Sequence, residues 1–149
     1  HSIKINNFDS SSCFLYRGPS MYPTFKPGQI LHINTRACDI GPGDIIVFLH
    51  QSQGRLTVHR VVKAGREGFI TRGDNNRRYD DSPIALVHVL GRIEYLEHKG
   101  KVRRVKGREF GLLYARYRWS LLLMKCCMRR FVSLPYRTAK ASKIRTSSQ

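Results

Sequence analysis

The sequence predicts a mainly β domain followed by a basic amphipathic helix, on three observations. Short apolar runs recur between Gly, Pro and Asn turns from residue 13 to 106, no helical period appears before residue 108, and apolar residues from Leu113 onward recur at spacings of three and four. Runs bounded by turn residues read as strands, whereas a spacing of three and four marks one apolar face of a helix. A 149-residue chain with 41% hydrophobic content suits one domain with a tail. The expected divisions are a polar arm over 1–12, a β domain over 13–106, a basic helical segment over 107–133 and a basic, Ser/Thr-rich disordered tail over 134–149.

Cys13-Phe14-Leu15-Tyr16 is a first strand, and it delivers the chain into Arg17-Gly18-Pro19-Ser20-Met21-Tyr22-Pro23. Proline fixes φ on both sides of Ser20, and Gly18 permits a sharp reversal, so the hydroxyl sits on a stiff turn. Ile30–Ile33 and the β-branched Ile45–Leu49 are further strands, the second entered through Gly41-Pro42-Gly43-Asp44. A polar connection from Gln51 to Arg55 leads to a strand over Leu56–Val62, where alternation puts His59 on one face and Arg60 on the other. Gly68–Arg72 is a short strand that ends in Gly73-Asp74-Asn75-Asn76, a loop of residues that favour side-chain turns. Ala85–Leu96 reads as one long strand bent at Gly91.

The formal net charge of +17 is unevenly spread. Residues 1–98 carry 12 Lys/Arg against 9 Asp/Glu, and residues 99–149 carry 15 against 1. Leu113, Tyr117, Leu121, Met124, Met128 and Phe131 form an apolar stripe among Arg116, Arg118, Lys125, Arg129 and Arg130. Such a helix either packs its stripe on the β domain or lays it in an anionic membrane surface. Nucleic acid is the less favoured partner, since no aromatic and basic pattern of an RNA-reading sheet is present. No apolar run approaches the roughly 20 residues that span a bilayer, so the expected localisation is peripheral to a membrane unless an anchor lies upstream of His1. Cys13, Cys38, Cys126 and Cys127 make no CxxC pair and have no histidines at zinc-ligand spacing, so neither metal nor cofactor is expected, and the vicinal pair Cys126-Cys127 reads as small core filler, with lipid attachment the alternative.

Ser20, His59 and the acidic residues Asp74, Asp80 and Asp81 supply a nucleophile, a base and an orienting acid. A serine hydroxyl is a poor nucleophile at neutral pH until an imidazole accepts its proton, and a carboxylate fixes the imidazole tautomer. In this order the chain resembles the signal peptidase I family, in the Ser-His form of endoplasmic reticulum and archaeal enzymes. The resemblance rests on Ser20-Met21-x-Pro23, Gly43-Asp44-Ile45-Ile46-Val47-Phe48, His59-Arg60-Val61 and Gly73-Asp74-Asn75-Asn76. It implies a serine endopeptidase that cleaves signal or leader peptides after small residues, with the substrate extended beside a strand. Ser20 is then the nucleophile, His59 the general base, Asp80 the supporting acid and Asp74 the alternative to it. It also implies a coiled, partly open β architecture, shared with LexA-like self-cleaving domains, which use lysine. A lysine base would need a shift costing about 4–5 kcal/mol to work near neutrality, whereas histidine needs little; Lys63 is the fallback. Gly18 stands where a hydroxyl residue often helps bind the oxyanion, leaving the Ser20 backbone N–H as the evident donor. A self-cleaving domain, or a non-enzymatic binder of nucleic acid or membrane through the basic tail, are the alternative functions.

Overall fold

The computed structural model describes residues 13–50 and 54–145, with side chains as far as residue 129. The expected polar arm, residues 51–53 of the hairpin connection and the last four residues lie outside the described part.

The strands are β1 (Cys13–Tyr16), β2 (Gln29–Asn34), β3 (Ile45–His50), β4 (Arg55–Gly65), β5 (Gly68–Arg72), β6 (Val89–His98) and β7 (Lys101–Arg104), followed by one helix, α1 (Arg108–Arg145). They form one antiparallel sheet in the order β1-β2-β6-β3-β4-β5, with β7 paired to the far half of β6. The mainly β architecture with a C-terminal helix is therefore as expected. Strand β3 lies between β4 and β6, and its unbroken Ile-Ile-Val-Phe run is buried on both faces because alternate residues enter two different apolar clusters. Ile45 and Val47 join Tyr16, Met21, Phe25, Leu31, Val58 and Ile93 in one apolar cluster, and Ile46 and Phe48 join Val61 and Ile84 in the other.

Three boundaries differ from expectation. Leu86–His88 is a single 3-10 turn, so the strand expected from Ala85 begins only at Val89. Its apolar residues Leu86 and Val87 are exposed rather than packed. The bend at Gly91 coincides with a bulge, since the pairing with β3 shifts between Val47 and Phe48. Strand β7 was not expected, because Lys101, Arg103 and Arg104 hide a strand whose support is backbone pairing to β6. The helix runs past residue 133 to Arg145, through most of the stretch expected as a disordered tail, where Ala, Lys and Arg continue to favour helix.

Helix α1 is seated on the turn before β3. The Arg108 N–H donates to Asp44 Oδ1 at 3.2 Å, placing a carboxylate at the helix N-terminus, where the macrodipole favours it. Gly43 has φ +92, and a Cβ there would lie 1.8 Å from the Arg108 carbonyl oxygen, so no other residue permits this approach.

Candidate active site

The nucleophile turn is anchored from below. Met21 and Phe25 are buried, the Phe25 N–H donates to the Met21 carbonyl at 3.0 Å, and the Tyr22 N–H donates to the Pro19 carbonyl at 3.1 Å. The Tyr16 hydroxyl accepts from the Met21 N–H at 3.1 Å while its ring meets Phe25 edge-on at 5.7 Å. Gln29, whose role was not evident from sequence, closes the following turn by accepting the Lys26 N–H at 2.7 Å. Ser20 thus rides on a turn fixed by its neighbours.

From the other side the Gly73–Asn76 loop clasps the same turn. The Asn75 N–H donates to the Ser20 carbonyl at 2.7 Å, and the Asn75 side-chain amide reaches the Pro19 carbonyl at 3.4 Å. A Cβ on Gly73 would lie 2.6 Å from the Ser20 carbonyl oxygen, so the close approach of the loop to the turn requires glycine.

His59 projects from β4 and is 6% exposed, with the Phe48 ring edge-on at 6.1 Å. Its Nδ1 lies 2.7 Å from Asp80 Oδ2. Asp80 is placed by β5: its N–H donates to the Thr71 carbonyl at 2.9 Å, and the buried Thr71 hydroxyl donates to its carboxylate at 2.5 Å. Burial pushes the Asp80 carboxyl up, but the hydrogen bond and charge of His59 and the Thr71 hydroxyl outweigh it and hold the group below its ordinary value. Asp80 is therefore a carboxylate that accepts and does not donate.

Asp74 is committed elsewhere. Its two oxygens accept from Arg60 Nε and Nη2 at 2.9 and 2.8 Å, and Thr24 Oγ1 donates to it at 2.5 Å. Arg60 and Asp74 side chains are 2% and 1% exposed, and Arg60 Nη1 also donates to the Gly43 carbonyl at 2.7 Å. This buried pair ties the loop, β4 and the seat of α1 together. Asp81 is exposed, as is Lys63; a register shift between Val61 and Lys63 breaks the alternation that would have put Lys63 on the face of His59.

Ser20, His59 and Asp80 line one cleft of about 680 Å³, whose walls include Phe14–Pro19 of β1 and its turn, Arg55–Val58 of β4, His50 and Asn76. No lysine is among its described lining residues. Thr71 and Asn76 were not singled out from sequence as site residues. The signal for Thr71 was its place on the short strand directly before the Gly-Asp-Asn-Asn loop; Asn76 had been read only as a turn former.

The Peptidase S24-like family model matches residues 5–94, more than half of the chain. The chain belongs to the S24-like peptidase family. Among relatives of this S24-like chain, the signal peptidase complex catalytic subunit SEC11 of Ogataea parapolymorpha is 34% identical over 106 residues, covering 62% of this chain and 56% of that protein. SEC11C of Homo sapiens is 36% identical over 94 residues, covering 59% and 46%. Signal peptidase I W of Bacillus subtilis is 32% identical over 72 residues, covering 44% and 37%. The resemblance to signal peptidase I drawn from the four motifs is thus borne out at the level of the family. The S24-like chain spans about half the length of the curated relatives it matches.

Proposed function

We propose that the chain is a serine endopeptidase that cleaves signal or leader peptides, with Ser20 as nucleophile, His59 as general base and Asp80 as the group that orients it. The observation that carries this reading is the convergence of Ser20, His59 and Asp80 on one cleft, with His59 Nδ1 committed to Asp80 at 2.7 Å. An ionised carboxylate can only accept, so Nδ1 carries the ring proton and Nε2 of the neutral ring is left as the base. On attack, the Ser20 Oγ–H proton passes to Nε2 as the Oγ–C bond forms, and the imidazolium is stabilised by Asp80. The same proton is then returned to the leaving amine as the C–N bond breaks, and water repeats the sequence to release the acyl group from Ser20.

The oxyanion would be met by the Ser20 backbone N–H and by Asn76, the one side-chain amide among the described cleft residues. An amide in that position would offset the missing hydroxyl at Gly18. A substrate entering beside β1 would be held extended, since among the described residues β1 is the terminal strand of the sheet and pairs with β2 alone. A lysine-based self-cleavage is disfavoured by the exposure of Lys63 outside the cleft.

The test is cleavage of a peptide bearing an Ala-x-Ala site by wild type, Ser20→Ala and His59→Ala. Wild type should cleave after the second Ala, Ser20→Ala should be inactive, and His59→Ala should be slower by about 10²–10⁴. Equal cleavage by all three proteins, or none by wild type on any leader peptide, would sink the reading. Asn76→Ala should lower kcat by about 10²–10³ with little change in KM.

A further inference from the structure

Helix α1 meets the β domain with a face other than its apolar stripe. Gly111 and Ala115 are buried, and Arg118, Trp119, Leu122 and Cys126 are half-buried. Trp119 Nε1 donates to the Arg77 carbonyl at 3.3 Å, and the Arg77 guanidinium donates to Cys126 Sγ at 3.3 Å. Arg72 Nη2 reaches the Ala115 carbonyl at 3.5 Å, with its guanidinium over the rings of Tyr79 and Trp119 at 5.2 and 5.0 Å. At 100° per residue these positions gather on one side of the helix. The stripe lies on another, and it is open: Phe110, Leu113, Tyr117, Met124 and Met128 are 60–71% exposed.

Phe110 to Met128 makes a straight apolar line about 27 Å long at 1.5 Å per residue. It is flanked by Arg116 on one side and by Lys125 on the other, both exposed. Near its start, Arg103, Arg104 and Lys106 line a pocket together with Phe110 and Tyr114, so the basic β6–β7 hairpin extends the same cationic rim. From residue 99 onward the chain holds 15 Lys/Arg and a single acid, Glu109.

We propose that this face is a docking surface for an anionic phospholipid bilayer, with the stripe sunk to the level of the acyl boundary and the flanking cations on the headgroups. The chemistry selects this occupant. An apolar centre with cationic margins matches the layering of an interface, and long Arg and Lys stems can bury methylenes while the charge stays with phosphate. A nucleic acid would instead require charge along the centre of the face. A second copy would bring two strongly positive rims together. No described helix is long and apolar enough to cross a membrane, so the contact is one that lies on the surface. Because Arg72 and Trp119 hold α1 against the loop that carries Asp80, docking would also fix how the cleft faces the bilayer.

The inference is independent of the proteolytic reading and is tested separately from it. Wild type and Ser20→Ala are sedimented with neutral phosphatidylcholine vesicles and with vesicles containing phosphatidylserine, in low and high salt. Both proteins should bind the anionic vesicles at least tenfold more tightly than the neutral ones. Tyr117→Ser/Met124→Ser/Met128→Ser should weaken that binding at least tenfold while leaving cleavage of a soluble peptide unchanged. Arg116→Gln and Lys125→Gln should each cost about fivefold. Circular dichroism of the triple variant should keep the wild-type helix signal. Equal binding to neutral and anionic vesicles, full binding by the triple variant, or a preference for duplex RNA over vesicles would each overturn the proposal. Vesicle binding without peptide cleavage would leave docking standing and remove only the protease.

Discussion

The two aspartates beside the cleft are close in sequence and opposite in kind. Asp74 closes a bidentate pair with Arg60 in which both side chains are almost wholly buried, whereas Asp80 shares its carboxylate between a ring nitrogen and a hydroxyl at the cleft wall. Removing one partner of a buried pair leaves an uncompensated charge and costs about 3–5 kcal/mol. Asp74→Ala should therefore lose about that much stability in chemical denaturation, while the fraction that stays folded keeps its rate. Asp80→Asn should do the reverse, with a modest change in denaturation midpoint and a fall in kcat of about 10⁴, because the amide no longer selects the Nδ1–H tautomer. If the two variants lose rate and stability in the same proportion, Asp80 is not the orienting group. From the sequence, only the family resemblance ranked these two residues. What separates them is that Arg60, expected on the face away from His59, reaches Asp74 and not Asp80, a contact no local pattern reveals.

At the scale of elements, the seat of α1 rests on two contacts that can be broken separately. Gly43 holds φ +92 against the Arg108 carbonyl, so Gly43→Ala adds a left-handed strain of about 1–2 kcal/mol to an outright clash. It should lower the melting temperature and expose the helix start to protease. Arg72→Ala removes the guanidinium between Tyr79 and Trp119, and hydrogen exchange should then quicken in α1 while the amides of β3 and β6 keep their protection. Uniform loss of protection across the sheet would mean that the helix is integral to the β core. Strands β1 to β5 were legible because each is a short apolar run between turn residues. The Leu86–His88 turn and β7 were not: one looks like strand and is exposed, the other looks like loop and is paired. The helix was legible as an element, but its periodicity left open whether the apolar stripe packs on the domain. The small residues Gly111 and Ala115 lie against the domain, and the large apolar ones face outward. Cys127 is likewise exposed rather than serving as core filler.

For the molecule as a whole, charge and pH act in the same direction. Asp39, Asp80 and Glu94 are all held below their ordinary values. Arg92 and Arg108 lower Asp39 against a small opposing effect of burial. Burial opposes the shift in Asp80 and Glu94, but His59 with Thr71 in the one case, and Arg92 with Asn34 in the other, overcome it. A carboxyl whose folded value is depressed contributes stability that is complete above its unfolded value, about 3.9 for Asp and 4.3 for Glu, and is lost as pH falls through the folded value. Over the same descent the net charge grows from +17 as these carboxyls take up protons, so self-repulsion rises as the ion pairs fail. The melting temperature should hold between pH 7 and about 5 and fall steeply below about 4. Added salt at pH 3.5 should recover part of the loss, because repulsion among exposed cations is screened within about 10 Å at 0.1 M. Asp80→Asn should have a shallower acid slope than wild type, since its side chain no longer titrates. Scanning calorimetry across this range decides the point: a melting temperature that climbs between pH 5 and 3.5 would mean the carboxyls are stabilised in their protonated form, contrary to every contact they make.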